Sequence, residues 1–85
     1  MEKSLFSRGY DVFVACLRDV RAEAKVTQVE LAKRLGETQS FVSKCERGER
    51  RLDVVELRAW CRALGTTLVE FSRNLERKLS AAERR

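Results

Sequence analysis

The sequence predicts an all-α fold of five short helices, and three observations carry that prediction. Apolar residues recur at three- and four-residue spacing along most of the 85 residues, which is the period of a helix buried on one face. There is no proline and only four glycines, so the sharp turns of a β-meander are hardly encoded. A Thr or Asp followed three residues later by Glu opens three of the apolar stretches, and a glycine closes three of them, the start and stop signals of helices.

The first helix is predicted from about Gly9 to Ala24, with Tyr10, Phe13, Val14, Leu17 and Val20 on one face. The second opens at Thr27-Gln-Val-Glu30, where hydroxyl and carboxylate can each satisfy the other residue's amide. It buries Leu31, Ala32 and Leu35 and stops at Gly36. Only Glu37 separates that glycine from Thr38, a good N-cap, so a third helix is expected over Gln39–Arg47, with Val42 and Cys45 inward and Gly48 at its end. Asp53-Val-Val-Glu56 opens a fourth, carrying Val54, Leu57, Trp60, Cys61 and Leu64 and closed by Gly65. Thr67-Leu-Val-Glu70 opens a fifth, with Leu68, Phe71, Leu75 and Leu79 in one stripe. A single domain over residues 1–85 is expected, its core about 9–79 and its tail 80–85 frayed.

Composition narrows the function. A chain this size buries only about 60–65 % of its unfolded surface, which disfavours a deep catalytic cleft and favours a binding surface. The net charge of +5 favours a polyanionic partner. No histidine occurs, which removes the usual general base and the commonest zinc ligand. Cys16, Cys45 and Cys61 form no C-x-x-C pair, so neither a disulfide framework nor a metal site is expected, and a reducing cytoplasm is the simplest setting. No cofactor is implied. The longest apolar run, Val12 to Leu17, is far too short to span a bilayer, and Met1 to Gly9 lacks the apolar stretch of a signal peptide.

Two helices joined by one tight turn make a helix-turn-helix, here Gln28 to Arg47. Ala32 is small where the helices cross, and Gly36 makes the turn. The outer face of the third helix presents Gln39, Ser40, Ser43, Lys44 and Arg47. An amide, two hydroxyls and two cations suit base edges and phosphates, and Arg50 and Arg51 follow at once. Residues 25–51 carry a net charge of +3, residues 1–24 none, and residues 52–85 a net +2. The cationic excess therefore lies on the motif, but it is small.

The run T-Q-V-E-L-A-K-R-L-G, then T-Q-S-F-V-S-K-C-E-R-G-E-R-R-L-D, then a helix ending A-L-G, resembles the lambda repressor/Cro-like, or XRE, helix-turn-helix family from about Leu17 to Phe71. The resemblance implies a five-helix DNA-binding domain of a bacterial or phage transcription regulator acting in the cytoplasm on the nucleoid. Such a regulator is most often a repressor working as a homodimer on a palindromic operator of double-stranded DNA. Matched to the family's motif, Thr38, Gln39, Ser40, Ser43 and Lys44 face the bases. Gln28 touches a phosphate and supports Gln39, and Arg47, Arg50 and Arg51 run along the backbone. Glu46 matches a glutamate that pairs with an arginine of the first helix, here Arg21, so that pair is structural.

Three positions depart from the pattern. Glu37 replaces an apolar residue, so a packing contact in the turn is expected to be missing. Lys25 replaces a glycine, so the first C-cap is expected to be less well formed. Phe41 either contacts a thymine methyl or packs on the turn, and packing is favoured. For the dimer, Leu75 and Leu79 are the candidates, being beyond what a four-helix core can cover; the alternative is that they fold back on Leu5 and Phe6. A second class of function, an antitoxin or adaptor binding a small protein partner such as a toxin, uses the same fold. An enzyme is disfavoured, since Cys45 lies in the motif's core with no histidine to activate it.

Overall fold

A computed structural model describes residues 5–84, with side-chain surroundings from Ser7 onward. Five helices follow in order: α1 Leu5–Glu23, α2 Gln28–Leu35, α3 Gln39–Glu46, α4 Val54–Ala63 and α5 Leu68–Glu83. Helix α2 packs on α3 and α4, α1 lies across α3 and α5, and α4 meets α5. Trp60, Leu17, Leu31, Val42, Cys16, Cys45 and Cys61 are sealed from solvent where these helices meet. All three thiols are buried; desolvation raises that of Cys16 and pushes those of Cys45 and Cys61 up to about 11, so they stay protonated at neutral pH and serve as small apolar residues.

The start signals act as expected at α2, α3 and α4. Thr27 and Glu30 form a reciprocal capping box, as do Asp53 and Glu56, and the Thr38 hydroxyl accepts from the Phe41 amide. At α5 only half the expected box forms. Thr67 accepts from the Glu70 amide, but the Glu70 carboxylate turns forward and accepts from Arg73 at 2.9 Å.

Other boundaries differ from expectation. Helix α1 begins at Leu5, four residues before Gly9, and α5 continues to Glu83 through the tail expected to fray. Val54, grouped in the sequence with the apolar residues of the fourth helix, is 67 % exposed on the first turn of α4. Leu75 and Leu79 do not stand clear of the body. Leu75 packs on the core, and a Leu79 methyl lies 3.6 Å from where a Cβ on Gly9 would sit, so both are half-buried along α1. Their proposed partners Leu5 and Phe6 fall outside the described side chains.

The helix ends share one device. At Gly36 the chain turns through φ 69°, with the Glu37 amide reaching Ala32 at 2.9 Å and the Gly36 amide reaching Lys33 at 3.2 Å, the two bonds of a Schellman motif. The end of α1 makes the same pair, Lys25 to Ala22 at 3.0 Å and Val26 to Arg21 at 3.3 Å, with Lys25 at φ 58°. This C-cap is therefore fully bonded. What the missing glycine costs is conformational, since a Cβ is disfavoured in the left-handed region.

A buried ion pair staples α1 to α3. Glu46 is 3 % exposed and accepts from Arg21 Nε at 2.6 Å and Nη2 at 3.0 Å. Arg21 Nη1 donates to the Val26 carbonyl at 3.0 Å, and Arg18 Nη1 donates to the Glu46 carbonyl at 2.6 Å. Burial of such a carboxylate is tolerated only because its oxygens are supplied with donors.

Two expectations follow. Lys25→Gly keeps both cap bonds and relieves the left-handed Cβ, so thermal unfolding is expected to show a gain of about 1 kcal/mol; no gain would place the strain elsewhere. Glu46→Ala strands the Arg21 cation and is expected to cost roughly 3–5 kcal/mol. In melts of Arg21→Ala, Glu46→Ala and the double variant, the double loss is expected to fall well short of the sum, whereas additive losses would mean that the two side chains do not act as a pair.

Candidate nucleic-acid interface

The buried staple continues outward to the surface of α3. Gln28 Nε2 donates to Glu46 Oε1 at 2.9 Å, and Gln28 Oε1 accepts from Gln39 Nε2 at 2.8 Å. The chain of contacts Arg21–Glu46–Gln28–Gln39 runs from half-buried to exposed. It has a polarity. The carboxylate can only accept, so it draws the amide nitrogen of Gln28 toward itself. That turns the Gln28 oxygen to Gln39, which must answer with its own nitrogen. Gln39 is left with a free amide oxygen and one remaining N–H, both at the exposed first turn of α3. An acceptor and a donor side by side match the N6 and N7 edge of adenine.

The other expected base-facing residues share this surface. Thr38, Gln39, Ser40 and Lys44 are exposed and Ser43 is half-buried. The Thr38 oxygen is engaged in capping, accepting from the Phe41 amide at 3.1 Å. Ser43 accepts a hydrogen bond from Arg47. Phe41 packs rather than pointing outward: it is half-buried against the core, beneath the Arg50 guanidinium at 5.1 Å. Beside it a cavity of about 90 Å³ is lined by Leu35, Glu37, Phe41 and Trp60 among others.

The arginines expected on the backbone are each held within the chain. Arg47 pairs with Glu49 at 2.6 Å. Arg50 forms a two-pronged pair with Glu56, at 2.7 Å on each oxygen, and that hydrogen bonding, reinforced by the Asp53 amide, holds the Glu56 carboxyl below its ordinary range. Arg51 lies 4.2 Å above the ring of Tyr10, whose hydroxyl accepts from the Leu52 amide at 3.4 Å. Sequence reasoning missed Arg18, Tyr10 and Glu56. Arg18 was within reach, being one helical turn from Arg21 on the same face. Glu56 was read only as a capping residue. Among the described residues, no group of three potential ligands could hold a metal ion, and no helix is long and apolar enough to cross a membrane.

Comparison with known proteins agrees with this geometry. The Helix-turn-helix family matches residues 17–71. Among solved structures, the chain is similar to an XRE-family like protein from Pseudomonas syringae pv. tomato str. DC3000, with 45 % identity over 84 % of this chain and 87 % of that one and a TM-score of 0.79. It is similar to the clp gene regulator ClgR from Corynebacterium glutamicum, at 25 % identity over 98 % of this chain and 84 % of that one, with a TM-score of 0.78. The restriction-modification controller protein C.Esp1396I, solved as a tetramer with its natural 35 base-pair operator, shares 23 % identity over 92 % of this chain and 97 % of that one, at a TM-score of 0.77; at that identity the likeness shows the fold alone. No curated protein matches. By the family match over most of its length, the 45 % identity and the helix-turn-helix geometry of α2 and α3, the chain belongs to the XRE family of helix-turn-helix DNA-binding regulators.

Proposed function

We propose that the protein is a transcription repressor that binds a palindromic operator as a homodimer in the bacterial cytoplasm. The observation that supports this reading is the Gln28–Gln39 hydrogen bond, which leaves Gln39 with an amide oxygen and an N–H side by side at the exposed first turn of α3, a pair of groups suited to the N6 and N7 edge of adenine. In this reading α3 lies in the major groove, with Thr38, Gln39, Ser40, Ser43 and Lys44 toward the bases and Gln28, Arg47, Arg50 and Arg51 on phosphates. Occupying the operator excludes other proteins from it, and the proposed outcome is repression. The C.Esp1396I assembly on its operator supports DNA binding by an oligomer of this fold.

A single recognition helix reads only a few base pairs, so two copies are needed, with their α3 helices about 34 Å apart. Leu75 contributes to the dimer reading as one wall of an apolar groove that also includes Tyr10, Phe13, Leu52, Leu57 and Val54. Val54, which lines it, is 67 % exposed, and the next residue of α4, Val55, is 78 % exposed. A two-fold contact would cover these valines of each copy against the other's groove. Leu79, half-buried beside Gly9, lies at the far end of the same α1–α5 seam.

Selection from a random DNA pool is expected to enrich a palindrome with adenine at a fixed place in each half-site; no enrichment would sink the reading. On the selected operator Gln39→Ala is expected to lose about 1–3 kcal/mol, with little loss on random DNA. Equal losses on both would remove Gln39 from base readout. For the dimer, Val54→Glu/Val55→Glu places two carboxylates in the first turn of α4, where the helix dipole favours them, so the variant is expected to keep its circular dichroism but sediment as a monomer and lose operator affinity. A variant that stays dimeric would move the interface elsewhere.

A further inference from the structure

The two salt-bridged arginines after the recognition helix differ in how firmly they are held. Arg47 meets Glu49 at 2.6 Å with a long second contact of 3.4 Å, and both side chains are more than half exposed. Arg50 meets both oxygens of Glu56 at 2.7 Å, donates also to the Arg51 carbonyl, and has the Phe41 ring beneath it. Glu56 is itself fixed. Its Oε1 accepts from the Asp53 amide at 2.9 Å while its own amide donates to Asp53 Oδ1 at 2.7 Å, so the carboxylate that grips Arg50 is part of the α4 capping box.

A guanidinium in a bidentate carboxylate pair already has its charge compensated, with two of its five N–H groups engaged. A DNA phosphate gains it only by exchange, and the exchange leaves Glu56 unpaired next to a polyanion. Binding to arbitrary sequence is driven by the release of counterions as phosphates are neutralised, and a cation that carries its own counter-charge contributes little to that term. In a fitted complex a phosphate is held at bidentate distance and the exchange can proceed. We propose that Glu56 is a specificity-determining residue that screens Arg50, withholding it from DNA of arbitrary sequence. This rests on the DNA-binding reading above.

The test uses a 30 base-pair duplex of random sequence, with affinity measured by fluorescence anisotropy over a series of salt concentrations. Glu56→Gln keeps an oxygen for the Asp53 amide, so the capping box and the melting temperature are expected to hold. It is expected to tighten binding about three- to tenfold and to steepen the log–log salt dependence by about one, the signature of one more phosphate contact. With Arg50→Ala already present, the further change Glu56→Gln is expected to bring no gain in affinity and no steeper salt dependence. Glu49→Gln is expected to give a smaller gain, because its pair is looser. Arg50→Lys provides a second route that leaves Glu56 and its cap untouched: without the planar fork the cation is less tightly held, and binding to the random duplex is expected to tighten with a steeper salt dependence. The proposal is overturned if the Glu56→Gln gain survives Arg50→Ala, which would make it diffuse charge, or if Glu56→Gln leaves binding unchanged or weakens it, which would make Glu56 an aligning partner. Should the wild-type chain bind neither this duplex at low salt nor any selected sequence, the DNA-binding reading fails and the proposal with it.

Discussion

One buried carboxylate organises the recognition surface. Glu46 accepts from Arg21 of α1 and from Gln28 of α2 while belonging to α3, so three helices meet on two oxygen atoms. An isolated charge at 3 % exposure would be untenable, and its donors are correspondingly held in one arrangement. Apolar packing between α2 and α3, through Leu31, Ala32, Val42 and Cys45, sets their distance but is non-directional. The carboxylate's bonds add direction to that packing. They also determine which end of the Gln28 amide points outward, and through it the orientation of Gln39. The orientation of Gln39, on which the proposed readout rests, is thus inherited from core electrostatics.

What the sequence made legible was mostly local. Capping boxes and glycine stops depend on residues within a few positions of one another, and they placed α2, α3 and α4 within a residue or so of where they lie. The start of α1 was missed because no Ser, Thr or Asp cap precedes its apolar stripe with a matching carboxylate. The end of α5 was misplaced because proximity to the terminus was weighed above Ala81, Ala82 and Glu83, all good helix formers. Glu70 had two partners within one turn, the Thr67 amide behind and Arg73 ahead, and nothing in the spacing decides between them. The Arg21–Glu46 pair, 25 residues apart, came from resemblance to a family. Arg50–Glu56 did not, because it joins a loop to the next helix across six residues, where neither periodicity nor motif specifies a contact. Leu75 and Leu79 were read as surplus because periodicity within one helix does not reveal that α5 lies against α1, where Leu79 sits beside Gly9 and Leu75 shares a groove with Tyr10 and Phe13.

Charge on this molecule is a poor guide to its interface. Residues 25–51 carry a surplus of only +3, and Arg47 and Arg50 are each engaged with a carboxylate. A protein relying on electrostatic attraction would leave such arginines open. Here the exposed face of α3 instead offers directed groups, with Gln39 oriented through its neighbours and Ser43 engaged with Arg47. Such an arrangement trades affinity for dependence on fit, since oriented hydrogen-bonding groups gain little unless their partners stand in register.

Helix α1 connects that fit to any second subunit. Its Arg18 and Arg21 hold the C-terminal end of α3, while its Tyr10 and Phe13, two to three turns earlier, line the groove against α4 and α5. A partner seated at the start of α4 would therefore press on the same rigid element that carries the recognition helix. The angle between two recognition helices would then be set through one continuous helix and one buried ion pair, with no flexible linker between them. Half-site spacing in such a dimer is a property of the core, and loosening Glu46 would be expressed as tolerance to altered spacing as well as lost stability.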